Sequence, residues 1–224
     1  MNTLILDDCM NVMKNYKDNY FDLAVVDPPY GGTIEKGGYT EEQFNGHLSG
    51  GRSKKYKTRR TGGGFMEKYE KKILDWDIAP TKEYFDELFR VSKNQIIWGG
   101  NYFGLPPNRC FLIWRKLTIS EKFTMAMCEY AWTSFNQNSK WLEIAPQDSN
   151  RFHPTQKPVK LYDWIFKNFA EKGQKILDTH LGSGSSAISA HYFGLDLVGV
   201  EIDKDYYNKA KKRIQTLTSQ GNLF

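Results

Sequence analysis

Short apolar runs and helically spaced apolar residues take turns along this chain, and their order predicts alternating strands and helices. Thr3-Leu4-Ile5-Leu6 reads as a strand, Cys9 to Tyr16 carries apolar residues at helical spacing, and Phe21-Asp22-Leu23-Ala24-Val25-Val26 is a buried-strand run. That run stops at Asp27-Pro28-Pro29-Tyr30, because two prolines cannot continue a ladder. Pro80 stands where a first-turn proline belongs, and Tyr84, Phe85, Leu88 and Phe89 give the helix after it one apolar face. Gln95–Trp98 and Phe111–Trp114 are strand candidates, and Cys128–Ser134 completes a hairpin. Val159–Ala170 is helical, with Leu161, Ile165 and Phe169 on one stripe. Lys175–Asp178 is a strand, Gly184–Phe193 a helix, Leu197–Glu201 a strand and Asp205–Leu217 a last helix, buried along Tyr207, Ala210, Ile214 and Leu217. Such alternation at both ends predicts an α/β fold: a mostly parallel sheet with helices on both faces and an antiparallel hairpin. We expect one domain over residues 1–224, with a glycine-rich basic insertion at about 31–72.

Composition narrows the class without changing the fold. Hydrophobic residues are 40% and charged residues 25% of 224 positions, near globular averages, which excludes a disordered tail or a fibrous repeat. No apolar run approaches the roughly 18 residues of a membrane helix. Asp7 and Asp8 leave no apolar stretch for a signal peptide. Cys9, Cys110 and Cys128 are odd in number and widely spaced, against a disulfide framework or a zinc site. A reduced, cytoplasmic protein without a membrane partner is expected.

Charge says more. The chain carries 31 Lys and Arg against 26 Asp and Glu, a net +5. No acidic residue lies between Gln43 and Met66, whereas Arg52, Lys54, Lys55, Lys57, Arg59 and Arg60 all do. Ten of the 19 glycines fall between Gly31 and Gly64. A solvated loop has this composition, and so does a basic arm that neutralises nucleic-acid phosphates; one segment can be both.

Two constellations carry candidate chemistry. The strand ending in Asp178 runs into Leu181-Gly182-Ser183-Gly184-Ser185-Ser186 and then a helix, a glycine-rich turn where open α/β sheets hold nucleotide-like ligands. Glu201 ends the next strand about 20 residues on, a spacing suited to accepting from ribose hydroxyls. Ala187 stands where a dinucleotide fingerprint wants its third glycine, which points to a smaller adenosine cofactor. The second constellation is Asp27-Pro28-Pro29-Tyr30, roughly a one-in-a-thousand chance event in a chain of this length. An ionised carboxylate and an adjacent prolyl carbonyl only accept hydrogen bonds, and the tyrosine ring can stack on a flat base. Together they suit an exocyclic amine on a heterocycle. His47, His180 and His191 form no metal spacing, so no metal is expected.

D-P-P-Y resembles the catalytic motif of amino-methylating enzymes that use S-adenosylmethionine (SAM), most often adenine-N6 DNA methyltransferases. The motif order, catalytic early and cofactor late, is similar to the circularly permuted order of their β class. His153-Pro154-Thr155-Gln156-Lys157-Pro158 resembles the segment before that class's cofactor-contacting helix, and Leu6-Asp7-Asp8-Cys9 its opening strand. Ile97–Phe103 and His180-Leu181-Gly182 add a likeness to short stand-alone methylases of phages and prophages. The resemblance implies a Rossmann-like SAM-dependent fold, with Asp27, Pro28, Pro29 and Tyr30 catalytic. It implies cofactor contacts at Asp8, Cys9, Asp27, Thr155, Gln156, Lys157, Asp178, Leu181, Gly182, Ser183, Gly184, Ser185, Glu201 and Ile202. Its implied partners are SAM and duplex DNA, with a homodimer and a restriction-endonuclease or phage context as further expectations. Much of the family has an aromatic residue before the G-x-G, where this chain has His180-Leu181. His153 is structural in the family. Cytosine-N4 methylation resembles S-P-P-Y and glutamine methylation N-P-P-Y, so Asp27 favours adenine. RNA adenine methylation and a non-catalytic DNA-binding module stay open as alternatives.

Overall fold

A computed structural model describes residues 2–31, 78–120, 126–146 and 151–219. The basic residues Arg52 to Arg60, expected to meet nucleic acid, lie outside the described residues. The chain forms two compact units, one of residues 1–28 and 81–224 and one of residues 29–80. The account below concerns the first.

Its elements run in chain order β1 (Thr3–Leu6), α1 (Cys9–Met13), β2 (Phe21–Val26), α2 (Lys82–Val91) and β3 (Ser92–Trp98). A short 3-10 turn at Gly100–Tyr102 precedes β4 (Phe111–Lys116), β5 (Cys128–Thr133) and β6 (Lys140–Ile144). Then come α3 (Val159–Phe169), β7 (Lys175–Asp178), α4 (Ser185–Tyr192), β8 (Asp196–Glu201) and α5 (Lys204–Ser219). The strands form one sheet in the order β1-β8-β7-β2-β3-β5-β4-β6. β1, β8, β7, β2 and β3 are mutually parallel; β5 pairs antiparallel with both β3 and β4, and β6 runs parallel to β4. This is the α/β, mostly parallel sheet with a hairpin that the pattern predicts, and the Rossmann-like arrangement that the resemblance implies.

Central strands are apolar on both faces because helices cover both. Leu23 and Val25 of β2 join Ile96, Trp98, Ile176 and the buried stripe Leu161, Ile165 and Phe166 of α3. Ala24 and Val26 pack the opposite way, against Met13 of α1 and Tyr84, Leu88 and Val91 of α2. No helix among the described residues is long and apolar enough to cross a membrane.

Three details differ from expectation. Pro80 precedes the Thr81 N-cap of α2 and does not stand in its first turn. The apolar pattern does not predict β6. On α5 the buried face is Tyr206, Ala210 and Ile214, one residue earlier than predicted at its start. Tyr206 reaches the core, while the Tyr207 hydroxyl donates to the Leu4 carbonyl at 3.3 Å. Spacings of four from Ile214 select Ala210 and Tyr206, whereas Tyr207 turns toward β1.

Candidate active site

Parallel strands bring their carboxyl ends to one edge of the sheet. β1 leads there into Asp7 and Asp8, β8 ends in Glu201, β7 in Asp178, and β2 hands over to Asp27. The chain passes from β2 to β3 on one side and from β7 to β8 on the other. The boundary between β2 and β7 is therefore the topological switch point, where α/β sheets open a crevice. Asp27 and Asp178 stand on its two sides.

The glycine turn after β7 is held from both flanks. Gly184, at φ +74°, caps α4 in the left-handed region, and a Cβ there would fall 2.7 Å from Ile214 Cδ1. Arg213 Nη1 of α5 donates to the Ser183 carbonyl at 3.0 Å and to Ser185 Oγ at 2.9 Å. Ser183 and Ser185 hydroxyls meet at 3.1 Å, and Ser185 Oγ donates to the Lys157 carbonyl at 2.8 Å. The Pro154–Pro158 segment and the glycine turn are thus joined directly.

Two carboxylates line this turn. Asp178 accepts from Ser186 Oγ at 2.5 Å and from the His180 amide at 3.1 Å. Burial nevertheless pushes its pKa up to about 7, over the opposing pull of those donors and with the negative charges of Asp27 and Glu201 adding to it. Glu201 accepts from the Gly182 amide at 2.8 Å and the Asp203 amide at 2.9 Å, and burial raises its pKa too. Among the described residues every donor to these two groups is neutral. Buried carboxylates without a cation suit a cationic ligand, and SAM carries both an ammonium and a sulfonium. The start of α4 and exposed Ile202 beside Glu201 complete a site that fits it.

Across the switch point the electrostatics reverse. Lys157 Nζ lies 2.5 Å from Asp27 Oδ2 and 3.1 Å from Glu129 Oε2, and Lys116 Nζ lies 2.6 Å from Glu129 Oε1. The Lys157 side chain is 5% exposed and Lys116 9%, so these are interior charges. Lys157 sits over the Trp98 ring and Lys116 over the Trp114 ring, each 5.3 Å from the centroid, and the two indoles meet edge to face. Burial disfavours a charged Lys157, but Asp27 and Glu129 outweigh it and hold its pKa above the usual 10.5. Burial likewise opposes the Glu129 charge, and Lys157 and Lys116 overcome it, drawing its pKa down to about 2.

The expected residues fall into groups. Asp27 and Lys157 are in contact; Lys157, Ser183, Ser185, Gly182 and Glu201 belong to one hydrogen-bonded chain around the glycine turn. Leu181 is buried in the main core. Thr155 is exposed and touches His153 Nδ1, while Gln156 is buried and accepts from the Phe152 amide at 3.3 Å. Asp8 caps α1, accepting from the Met10 amide at 2.7 Å. The Cys9 thiol is pushed up to about 12 by burial and by Asp8, so it is inert at neutral pH. Pro29 and Tyr30 belong to the other unit. His153 stacks edge-on against Tyr206 and beside Gly182, its pKa driven down to about 3 by burial and by Arg151 and Lys157. A neutral ring wedged there is a packing element.

Sequence reasoning missed Glu129, Lys116, Arg213 and the Tyr84 hydroxyl, which lies 2.6 Å from Thr179 Oγ1. Glu129 sits in a run of six β residues beside Cys128 and Tyr130, with no motif to mark it.

Residues 53–212 match the family described as DNA methylase, of the N6/N4 type. The type II methyltransferase M.HpaI of Haemophilus parainfluenzae is 24% identical over 95% of this chain and 74% of its own length. Among solved structures, the M1.HpyAVI–SAM complex superposes with a TM-score of 0.58 at 17% identity, covering 96% of this chain and 99% of that one. The PvuII DNA methyltransferase, cytosine-N4-specific, gives 0.60 at 12% identity, covering 98% and 92%.

Proposed function

The chain belongs to the N6/N4 DNA methylase family, and from that premise we propose that it transfers a methyl group from SAM to the N6 amine of adenine in duplex DNA. The carrying observation is Asp27, the first residue of D-P-P-Y, held at the switch point by a buried lysine beside a turn whose carboxylates accept, among the described residues, from neutral donors.

SAM supplies, when bound, a methyl group on a positively charged sulfur. Asp178 and Glu201 would hold its ammonium and its ribose hydroxyls, and Ile202 would cover its adenine. The target amine is a poor nucleophile because its lone pair is delocalised into the ring. Asp27 and the Pro28 carbonyl would accept from its two hydrogens and draw the lone pair toward the methyl. Acceptors fixed in advance stabilise positive charge as it develops on nitrogen. Asp27 need not be a strong base, since the amine proton turns acidic only as the new bond forms. The amine is hidden in a duplex, so the base must leave the stack, and Tyr30 is the aromatic residue offered for it to stack on. Fixing donor and acceptor in line contributes through orientation.

The test is transfer of labelled methyl from SAM to unmethylated duplex DNA, wild type beside Asp27→Ala, with the product base identified. N6-methyladenine from wild type and a loss of about 100-fold or more in the variant support the reading. N4-methylcytosine as product would replace adenine with cytosine. Transfer to structured RNA in preference to duplex DNA would replace the polymer.

A further inference from the structure

The interior charges beside Asp27 come from outside the nucleotide-binding half of the sheet. Lys116 ends β4 and Glu129 lies on β5, the two strands of the antiparallel hairpin, while Lys157 precedes α3. Lys157 bridges the two carboxylates, 2.5 Å from Asp27 and 3.1 Å from Glu129. Glu129 Oε2 is shut away from solvent, and its other oxygen holds Lys116 at 2.6 Å. Each ammonium also lies over a buried tryptophan ring, Lys116 over Trp114 and Lys157 over Trp98.

A lysine against a catalytic carboxylate has two opposed effects. It orients the group, and it cancels the negative charge that should meet the positive charge arriving on nitrogen. During transfer that charge moves from sulfur to nitrogen, toward Asp27. A lysine leaning on Asp27 alone would therefore oppose the reaction; one shared with a second carboxylate opposes it less. We propose that Glu129 is a positioning residue for methyl transfer, sharing Lys157 with Asp27 so that the ammonium orients the catalytic carboxylate without neutralising it. This rests on the functional reading above. It gives the hairpin a part in catalysis beyond extending the sheet.

The experiment measures kcat, KM for SAM and thermal stability with duplex DNA as acceptor, for the full chain. Glu129→Gln should lower kcat about tenfold or more while KM for SAM shifts by less, because the interaction grows as charge reaches nitrogen. That variant strands Lys116, so Lys116→Met/Glu129→Gln is made beside it to remove one buried charge of each sign. The double variant should regain stability and keep the lowered kcat. Glu143→Gln, which loses an outer ion pair to Arg115, serves as a control and should match wild type. A purely structural role for Glu129 predicts that the double variant restores rate along with stability, and that result overturns the proposal. So does a Glu129→Gln rate equal to wild type. Absence of transfer by the wild type would instead sink the functional reading itself, and this inference with it.

Discussion

Asp178 is 2% exposed, and burial raises its pKa to about 7. Two consequences follow from one sign. The folded value lies above the ordinary 3.8, so burying this group costs nothing below about pH 4; the cost grows as pH rises toward 7 and is constant above. Asp178→Asn should therefore raise the melting temperature at pH 8 and leave it nearly unchanged at pH 4, which a thermal scan at both values checks. Ligand binding runs the other way. A protonated Asp178 cannot pair with an ammonium, so SAM affinity should fall roughly five- to tenfold between pH 8 and pH 6. Calorimetric titration across that range measures it, and Asp178→Asn should bind weakly and with little of this slope. Asp178 and Glu201 could be singled out in the sequence because a strand, a G-x-G turn and an acidic strand end lie within 24 residues. Glu129 could not. Its meeting with Asp27 runs through Lys157, 130 residues along the chain from Asp27, and depends on a hairpin register, Trp114 opposite Glu129, that no local pattern encodes.

Elements were legible where one period ran long enough to identify. β2, buried on both faces, and the stripe of α3 announce themselves through apolar spacing. β6 does not: it is an edge strand of partly exposed residues with Trp141 65% exposed, so burial leaves no clean alternation in Lys140-Trp141-Leu142-Glu143-Ile144. The join between β3 and β5 rests on a residue that propensity alone would count as a weakness. A Cβ at Gly100 would stand 2.4 Å from Trp132 Cβ and 3.0 Å from the Trp132 backbone nitrogen. Those are fixed atoms of a paired strand, whose neighbour Ala131 is in register with Trp98. Gly100→Ala should force β3 and β5 apart and cost about 3 kcal/mol, near the upper range for overpacking. Gly104, with nothing within 4 Å of a Cβ, is the contrast: Gly104→Ala should be neutral or gain about 0.5 kcal/mol by restricting the unfolded chain. Urea unfolding of both variants decides it. Equal stabilities would mean that the turn after β3 relaxes where the geometry leaves no room.

At the scale of the whole molecule, the described sheet edge is rich in carboxylates while the chain as a whole carries +5. Asp7, Asp8, Asp178 and Glu201 gather at strand ends, with Asp27 beside them paired to Lys157, an edge suited to a cationic cofactor. Positive charge is concentrated elsewhere in the sequence, in Arg52, Lys54, Lys55, Lys57, Arg59 and Arg60. Each of these that neutralises a duplex phosphate releases a counterion and adds about 0.9 to the steepness of log affinity against log salt. Changing Arg52, Lys54 and Lys55 to Gln should flatten that slope by about 2.7 and weaken DNA binding most at low salt. SAM affinity should stay the same, because none of the three belongs to the cofactor turn. Fluorescence anisotropy of a labelled duplex from 50 to 300 mM salt reads the slope directly. A slope unchanged by the triple variant would move the phosphate contacts to the lysines and arginines outside this stretch, and would leave the glycine-rich segment as a connection without a part in binding DNA.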